Sequence, residues 1–308
     1  MILTVTANPA VDRVYKLDSF ALGKVHRPES VTMSAGGKGI NVARVAKILG
    51  FDVCAMGFVG GSAGSFIEDE VNKLGIKSNF TKVSGETRTN VNITDLSGKS
   101  GEILDKGPVI TEEERQCFET EFANAIKDCS IVVASGSLPE GLDSSFYCDI
   151  VKTAHKAGKR IICDTSAKAL SDVIKERPFM VKPNNDELMQ LFGTKPETDA
   201  ELKKCLDELH NMGVCVPFVT LGADGAAALV DGVFLKFTPP KIKAVNTVGS
   251  GDSTVAGIAV GLDRAFSVVD SIKLGMACGA ANTQFEQTGL VSRELVRVYY
   301  NKVTVETI

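Results

Sequence analysis

Tryptophan is absent from the 308 residues, histidine occurs three times, and aromatic side chains make up only 6%. His26, His155 and His210 are scattered, so neither a histidine-based metal cluster nor a Ser/His pair can be read from the chain. That removes most of the case for zinc hydrolase or metalloprotease chemistry. The eight cysteines are never closer than ten residues, which leaves no CxxC or zinc-ribbon spacing. Several lie in apolar surroundings, as Cys163 does in RIICDT, and read as reduced thiols packed as small hydrophobes in a cytoplasmic protein. Positive charge is not in excess either. With 34 Lys plus Arg against 38 Asp plus Glu, the net charge of −4 carries no footprint of nucleic acid. No stretch approaches the roughly 18 uninterrupted apolar residues of a membrane helix. The opening MILTVTANPAVDR reads as a first β-strand, not a signal peptide.

What is present is ordinary globular composition, 44% hydrophobic and 23% charged, with 29 glycines. One domain over residues 1–308 is expected. Strand-like and helix-like segments alternate, which favours a parallel sheet with helices on both faces. ILTVTAN, DVCAMGFVGG, SIVVASG, KRIICDTS and FMVKPN read as strands. GINVARVAKILG, SFIEDEVNKLG, TEEERQCFETEFANAIKDC, SSFYCDIVKTAHKAG, NDELMQLFG and DAELKKCLDELHNMG read as helices. PFVTLGADGAAALV and VFLKFTP supply late strands, and two apolar helices follow from Ser250. Residues 11–34 and 84–108 break this rhythm, being polar, β-prone and turn-rich. Asn90–Thr94 alternates as a half-exposed strand, and Ser97-Gly98 reads as a turn. These two segments form either a small antiparallel sheet over one end of the body or a pair of surface loops.

Four stretches can carry chemistry. In NTVGSGDSTVAGIAVG, backbone N–H groups of Gly249, Ser250 and Gly251 can converge at a helix N-terminus and hold an anion. Asp252 in that first turn is either a cap or a base beside a phosphoryl group. In AGGKGIN, Gly37 lets the backbone approach a ligand, Lys38 offers a cation, and Asn41 can bond a hydroxyl. The alternative is a plain loop with Asn41 capping the next helix. It is not a Walker A sequence, because Lys38 is followed by glycine. In VKPNNDEL, Asn184 and Glu187 form a capping-box pattern, or an Asn and a Glu placed to hold hydrated Mg²⁺. TLGADGA, Thr220 to Ala226, either lies along phosphates or turns a hairpin corner.

Together these residues resemble the ribokinase-like (PfkB) carbohydrate kinase family over nearly the whole chain. AGGKGINVA is similar to its N-terminal signature and NTVGSGDSTVAG to its C-terminal one. VKPNNDE and SGSLPEG stand between them in the family's order. TVTANPAVDR, GGKGIN, GETRTNV and SGSLP resemble the hexose-phosphate kinase branch. The resemblance implies an α/β fold, a ribokinase-like Rossmann-type central sheet flanked by helices, with a small β-sheet lid. It implies ATP and Mg²⁺ as cofactors. The acceptor is then a ketohexose phosphate, fructose 1-phosphate first and tagatose 6-phosphate as the alternative. A non-catalytic regulator on the same fold is the competing class, and an intact Asp252 argues against it.

Roles follow from the same resemblance. Asp252 is the base, with Gly249, Ser250 and Gly251 as the anion hole. Asp12, Gly37, Lys38 and Asn41 hold the sugar, while Arg88, Arg27, Lys38 and Ser137 meet its phosphate. Lys182, Asn184, Glu187, Thr220, Gly222, Gly225 and Asn282 lie along ATP, with Asn184 and Glu187 at the metal through water. Asn246 stands where many members carry Asp, which alters local hydrogen bonding and any monovalent-ion site. The inserted segments are too short for a core of their own, and a homodimer through the lid would cover their apolar residues.

Overall fold

The structure, a computed structural model, describes residues 1–96 and 100–308. β1 (Ile2–Thr6) leads into β2 (Ala10–Leu17), β3 (Ser30–Gly36) and helix α1 (Lys38–Ile48). β4 (Val53–Val59), α2 (Gly61–Lys73), β5 (Lys77–Ser78) and β6 (Thr81–Lys82) follow. β7 (Arg88–Asp95) and β8 (Ser100–Ile103) precede α3 (Glu112–Ala125), β9 (Ile131–Ser135) and α4 (Ser145–Lys156). Next come β10 (Arg160–Asp164), α5 (Ala167–Lys175), β11 (Met180–Val181), α6 (Asn185–Phe192) and α7 (Asp199–Asn211). The chain ends with β12 (Val216–Thr220), β13 (Ala226–Val230), β14 (Val233–Thr238), α8 (Ser250–Asp263), α9 (Val268–Asn282), α10 (Arg293–Tyr300) and β15 (Thr304–Thr307).

Eleven strands form the main sheet, in the order β15-β14-β13-β12-β11-β10-β9-β1-β4-β5, with β6 beside β4. From β5 to β12 the pairing is parallel; β13, β14 and β15 add an antiparallel edge. Successive side chains point to opposite faces, so each central strand feeds two cores. Ile2, Val53 and Ala55 pack with α1, α2, α8, α9 and α10. Leu3, Val5, Cys54 and Met56 pack with α3, α4, α5, α6 and α7. That is why these strands read as unbroken apolar runs. Reciprocal caps start three of the helices: Thr111 with Glu114, Asn184 with Glu187, and Thr198 with Glu201. Six of the eight cysteines are buried; Cys117 and Cys215 are exposed.

The interrupting segments form a second sheet, in the order β3-β2-β7-β8. It is not wholly antiparallel. β2 pairs with β7 in parallel from Ala10↔Arg88 to Leu17↔Asp95, while β2–β3 and β7–β8 are antiparallel. Both central strands leave the body in the same direction, so they can only run side by side. The expected turn at Ser97-Gly98 lies outside the described residues. Helix α5 departs from the expected pattern; its nine residues bury only Leu170, Val173 and Ile174. No helix among the described residues is long and apolar enough to cross a membrane.

Candidate active site

The chain steps from β1 sideways to β4, then returns to the other side of β1 with β9. Where strand order reverses in this way, the loops leave the strand ends in opposite directions and open a crevice. The Gly-rich starts of α1 and α8 both meet there.

Asp252 is 7% exposed in the first turn of α8. It does not cap that helix. The N-cap is Gly249, at φ 77°, where any side chain would strike Thr288, and no side chain caps the helix. The Asp252 carboxylate turns inward instead, and its Oδ2 accepts from Asn41 Nδ2 at 2.8 Å. Burial and the nearby Asp164 charge push Asp252 up to about 6, against the Asn41 bond, Lys38 and Lys182. A carboxylate of that kind is ionised at neutral pH, yet basic enough to take a proton. Asn41 likewise caps nothing: α1 begins at Lys38 after Gly37, at φ 111°. Arg44, one turn on and 5% exposed, donates to Asn41 Oδ1 at 3.0 Å.

The three N–H groups expected to converge at the α8 start are not equivalent. Ser250 N–H turns back to the Thr247 carbonyl at 3.2 Å. Gly251 carries the cleft-facing position: a Cβ there would lie 3.4 Å from Lys182 Nζ. The Lys182 ammonium therefore sits at the positive end of the helix.

Lys182 and Lys38 share one buried partner. Asp164, at the end of β10 and 1% exposed, meets Lys38 Nζ at 3.0 Å and Lys182 Nζ at 3.4 Å through Oδ1. Despite complete burial, the two ammonium groups hold its carboxyl below the usual carboxylate range. Lys38 in turn is held charged: burial acts to lower its pKa, but Asp164, Asp252 and Glu187 raise it. The result is two fixed cations between two acids, placed where an anionic group can bridge the starts of α1 and α8.

On the lid side, the Asp12 carboxylate lies over Gly36, where a Cβ would fall on its oxygen. Burial raises its pKa, against the 2.9 Å bond from Asn90 Nδ2 and the charges of Arg88 and Arg44. Arg88 opens β7, donating to the Asn8 carbonyl at 2.8 Å and the Asp105 carbonyl at 3.2 Å. Its Nε is buried with no partner among the described residues. Ser137 follows Gly136, which packs beside Lys38, and Tyr147 and Thr165 hydroxyls fix the Gly136 carbonyl. Arg27 is exposed in the excursion between β2 and β3, with no hydrogen bond or ion pair among the described residues. The structure thus gathers Asp12, Gly37, Lys38, Asn41 and Arg88, sets Ser137 on the exposed loop after β9, and leaves Arg27 exposed between β2 and β3.

The family profile described as pfkB family carbohydrate kinase matches residues 5–294. The chain belongs to this family. The kinase is 41% identical to a tagatose-6-phosphate kinase of Staphylococcus epidermidis, across 99% of each chain. Among solved structures it is similar to phosphofructokinase-2 from Escherichia coli in complex with fructose-6-phosphate. That match has a TM-score of 0.91 and 27% identity over 98% of both chains. A possible 1-phosphofructokinase from Thermotoga maritima aligns with a TM-score of 0.90 and 27% identity, over 100% of this chain and 99% of that one.

The residues expected along ATP fall on the start of α6, the β12–β13 corner and the end of α9. Asn184 Oδ1 accepts from the N–H groups of both Asp186 and Glu187, and Glu187 Oε2 accepts from Asn184 N–H, each at 2.9 Å. The capping reading of this pair is therefore correct. It still leaves Glu187 Oε1 uncommitted; burial raises this acid, against its bond to Asn184 and the charges of Lys182 and Lys38. Thr220 ends β12 beside Asn184, Gly222 is exposed, and Gly225 is buried in the corner between β12 and β13. Asn282 is 0% exposed, with both ends of its amide spent on the Val248 carbonyl and Gly289 N–H. It fixes the loop before α8 from the end of α9. Sequence reading passed over Asp164 and Arg44. The polar end of the apolar run RIICDTS was the available signal for Asp164; Arg44, inside the α1 pattern, gave none.

Proposed function

We propose that this protein is an ATP-dependent kinase of a ketohexose monophosphate, yielding the 1,6-bisphosphate. The observation that carries this is Asp252, buried, uncapped and held by Asn41 between the two glycine-rich helix starts. The sugar hydroxyl gives its proton to Asp252 as its oxygen bonds to the γ-phosphorus. The bond from that phosphorus to the β-γ bridging oxygen breaks, and ADP leaves with the electron pair. Lys38, Lys182 and the α8 N-terminus face the charge on the transferring group. A binder without turnover has no use for such a base.

Arg88, with its unpartnered Nε, supports a phosphate on the acceptor, and Asp12 supports hydrogen bonding to the sugar's hydroxyls. Fructose 1-phosphate and tagatose 6-phosphate both satisfy this chemistry. Identity of 41% to a tagatose-6-phosphate kinase weighs more than 27% to the possible 1-phosphofructokinase, so tagatose 6-phosphate ranks first. Lys182, Glu187 and the β12–β13 corner form the nucleotide side of this reading. Hard oxygen donors fit Mg²⁺ there: Glu187 Oε1 and the buried, unpartnered Asp164 Oδ2. Asn184 spends its oxygen on the cap and supports Glu187 instead. The ion would supply charge neutralisation at the phosphates.

The lid offers a surface for a second copy. Val31 and Met33 on β3 are 45% and 42% exposed, and Ile103 on β8 is 60% exposed. Sedimentation equilibrium at micromolar protein should give a dimer; a fully active monomer would remove this part of the reading. For the activity, ADP release is measured with fructose 1-phosphate, tagatose 6-phosphate, fructose 6-phosphate and the parent sugars. A phosphorylated ketohexose should give the highest kcat/KM. A better unphosphorylated acceptor, or no turnover with any, would overturn the proposal.

A further inference from the structure

Arg44 is a buried cation with no carboxylate at ion-pair distance among the described residues, a costly arrangement for any fold to keep. Burial lowers its pKa, against the charges of Asp12, Glu70 and Asp252. Its guanidinium makes three bonds to three different parts of the molecule. Nη1 donates to Asn41 Oδ1 at 3.0 Å and to the Thr288 carbonyl at 3.1 Å, and Nη2 donates to the Ala35 carbonyl. Ala35 belongs to β3 of the lid sheet. Thr288 packs against Gly249, the N-cap of α8. Asn41 holds the base.

We infer that Arg44 is a positioning residue that locks the lid strand, the α8 start and the catalytic carboxylate into one geometry. The lock works through the amide of Asn41. An amide can flip, and only one orientation offers Nδ2 to Asp252. Because a guanidinium only donates, Arg44 fixes Oδ1 on its own side and thereby sends Nδ2 to Asp252 Oδ2. The other carboxylate oxygen is left for the acceptor hydroxyl. The same side chain ties that choice to the position of Ala35, so movement of the lid strand is felt at the base. Its positive charge also lies near both Asp12 and Asp252, two acids flanking a cleft proposed to take anionic substrates. This inference rests on the kinase reading. Wild-type turnover tests that reading, whereas the ratio of variant to wild type tests the role of Arg44.

Arg44→Lys and Arg44→Met are the variants. Lysine keeps the charge in the interior but cannot reach three acceptors in a planar fork. Both should lower kcat/KM for the phosphorylated sugar by roughly tenfold or more. ATP affinity, measured directly by calorimetry, should stay within about twofold, since Lys182 and Glu187 are untouched. Groups facing Asp252 are Asn41, Lys38 and Arg44 from α1, Asp164 from β10 and Lys182 directly after β11. Only the Asn41 bond and the Arg44 charge change. In the Met variant the acid limb of kcat should therefore move up by about half a pH unit or more. In the Lys variant, which keeps the charge, a smaller upward shift reports the loosened Asn41 bond alone. A Lys variant with kcat and acid limb both at wild-type values would overturn the inference, since charge alone would then suffice. So would a fall in kcat with the acid limb unmoved in both variants. Should Arg44→Met fail to fold, Arg44→Lys carries the decision by itself.

Discussion

Helices α6 and α8 both carry an acid as their third residue, and they spend it in opposite ways. At α6 the N-cap is Asn184, whose side chain bonds Glu187 N–H while Glu187 returns a bond to Asn184 N–H. At α8 the N-cap is Gly249, which has no side chain to reciprocate. Asp252 is consequently released from the helix and turns to Asn41. The same position is a structural clasp in one helix and the proposed base in the other. What decides between them is the residue three places earlier, not the acid.

Removing the acid from α8 breaks this comparison most severely. Asp252→Asn keeps the size and the Asn41 contact but loses proton acceptance, so kcat should fall roughly 10²-fold or more. ATP affinity should hardly change. Wild-type kcat/KM should itself drop as the pH falls through about 6, where Asp252 of the free enzyme takes up its proton. Stability should move the other way. The folded protein binds that proton more tightly than the unfolded chain, so Asp252 costs stability as pH rises from the ordinary 3.8 towards about 6. At pH 8 the Asn variant should be the more stable, by on the order of 3 kcal/mol, with the gap closing as the pH falls from about 6 towards 3.8. An Asn variant within a few-fold of wild-type kcat, or one less stable at pH 8, would return Asp252 to the role of a structural residue.

Arg88→Ala leaves both helix starts intact and tests whether the acceptor side is separate from them. Charge-assisted bonds to a phosphate contribute about 1.5–3 kcal/mol, so KM for the sugar phosphate should rise roughly tenfold or more. KM for ATP should hold. Equal losses for both substrates would show that Arg88 supports the cleft as a whole through Asn8 and Asp105.

Much of this was legible in the chain, and the limits have physical causes. Reciprocal caps are local, so Asn184 with Glu187 could be read from a spacing of three. The strands of the main sheet were legible because both faces are buried, which leaves continuous apolar runs such as Ile131–Ser135. Partners distant in sequence were not legible. Asp164 gains its role only when β10 lies beside β11 and brings it to Lys182, and when α1 brings Lys38. The parallel pairing of β2 with β7 is likewise a property of where both strands leave the body. Arg27 rests on the resemblance alone, since it stands exposed between β2 and β3.

Asn184→Ala opens the clasp of α6 while leaving α8 untouched. Losing an Asn N-cap costs about 1 kcal/mol, and thermal melting should register a loss of that order. Glu187 then loses its tether, so KM for ATP should rise modestly while the acid limb of kcat/KM for the sugar phosphate stays near 6. A shift of that limb would mean that the two helix starts are coupled.

The smallest expected effect lies in the loop that delivers Gly249 to its position. Asn246 Oδ1 accepts from Val248 N–H at 2.9 Å, and Nδ2 donates to the Glu286 carbonyl at 2.8 Å. Glu286 itself reaches Lys16 on the lid strand β2 at 2.6 Å. In Asn246→Asp the first bond survives, because either side chain offers that oxygen. The second cannot, since a carboxylate oxygen would face a carbonyl oxygen with no hydrogen between them. Asn246 is half-buried, so water can enter, and the loss should stay at or below about 1 kcal/mol. Two acceptors facing each other are a place for a cation. Potassium chloride should therefore raise the melting temperature and kcat of the Asp variant more than those of the wild type, at ionic strength matched with a bulky organic cation. An equal response in both proteins would mean that the amide–carbonyl bond does not close the loop, and that its other contacts, with Thr283, Thr288 and Asn282, hold Gly249.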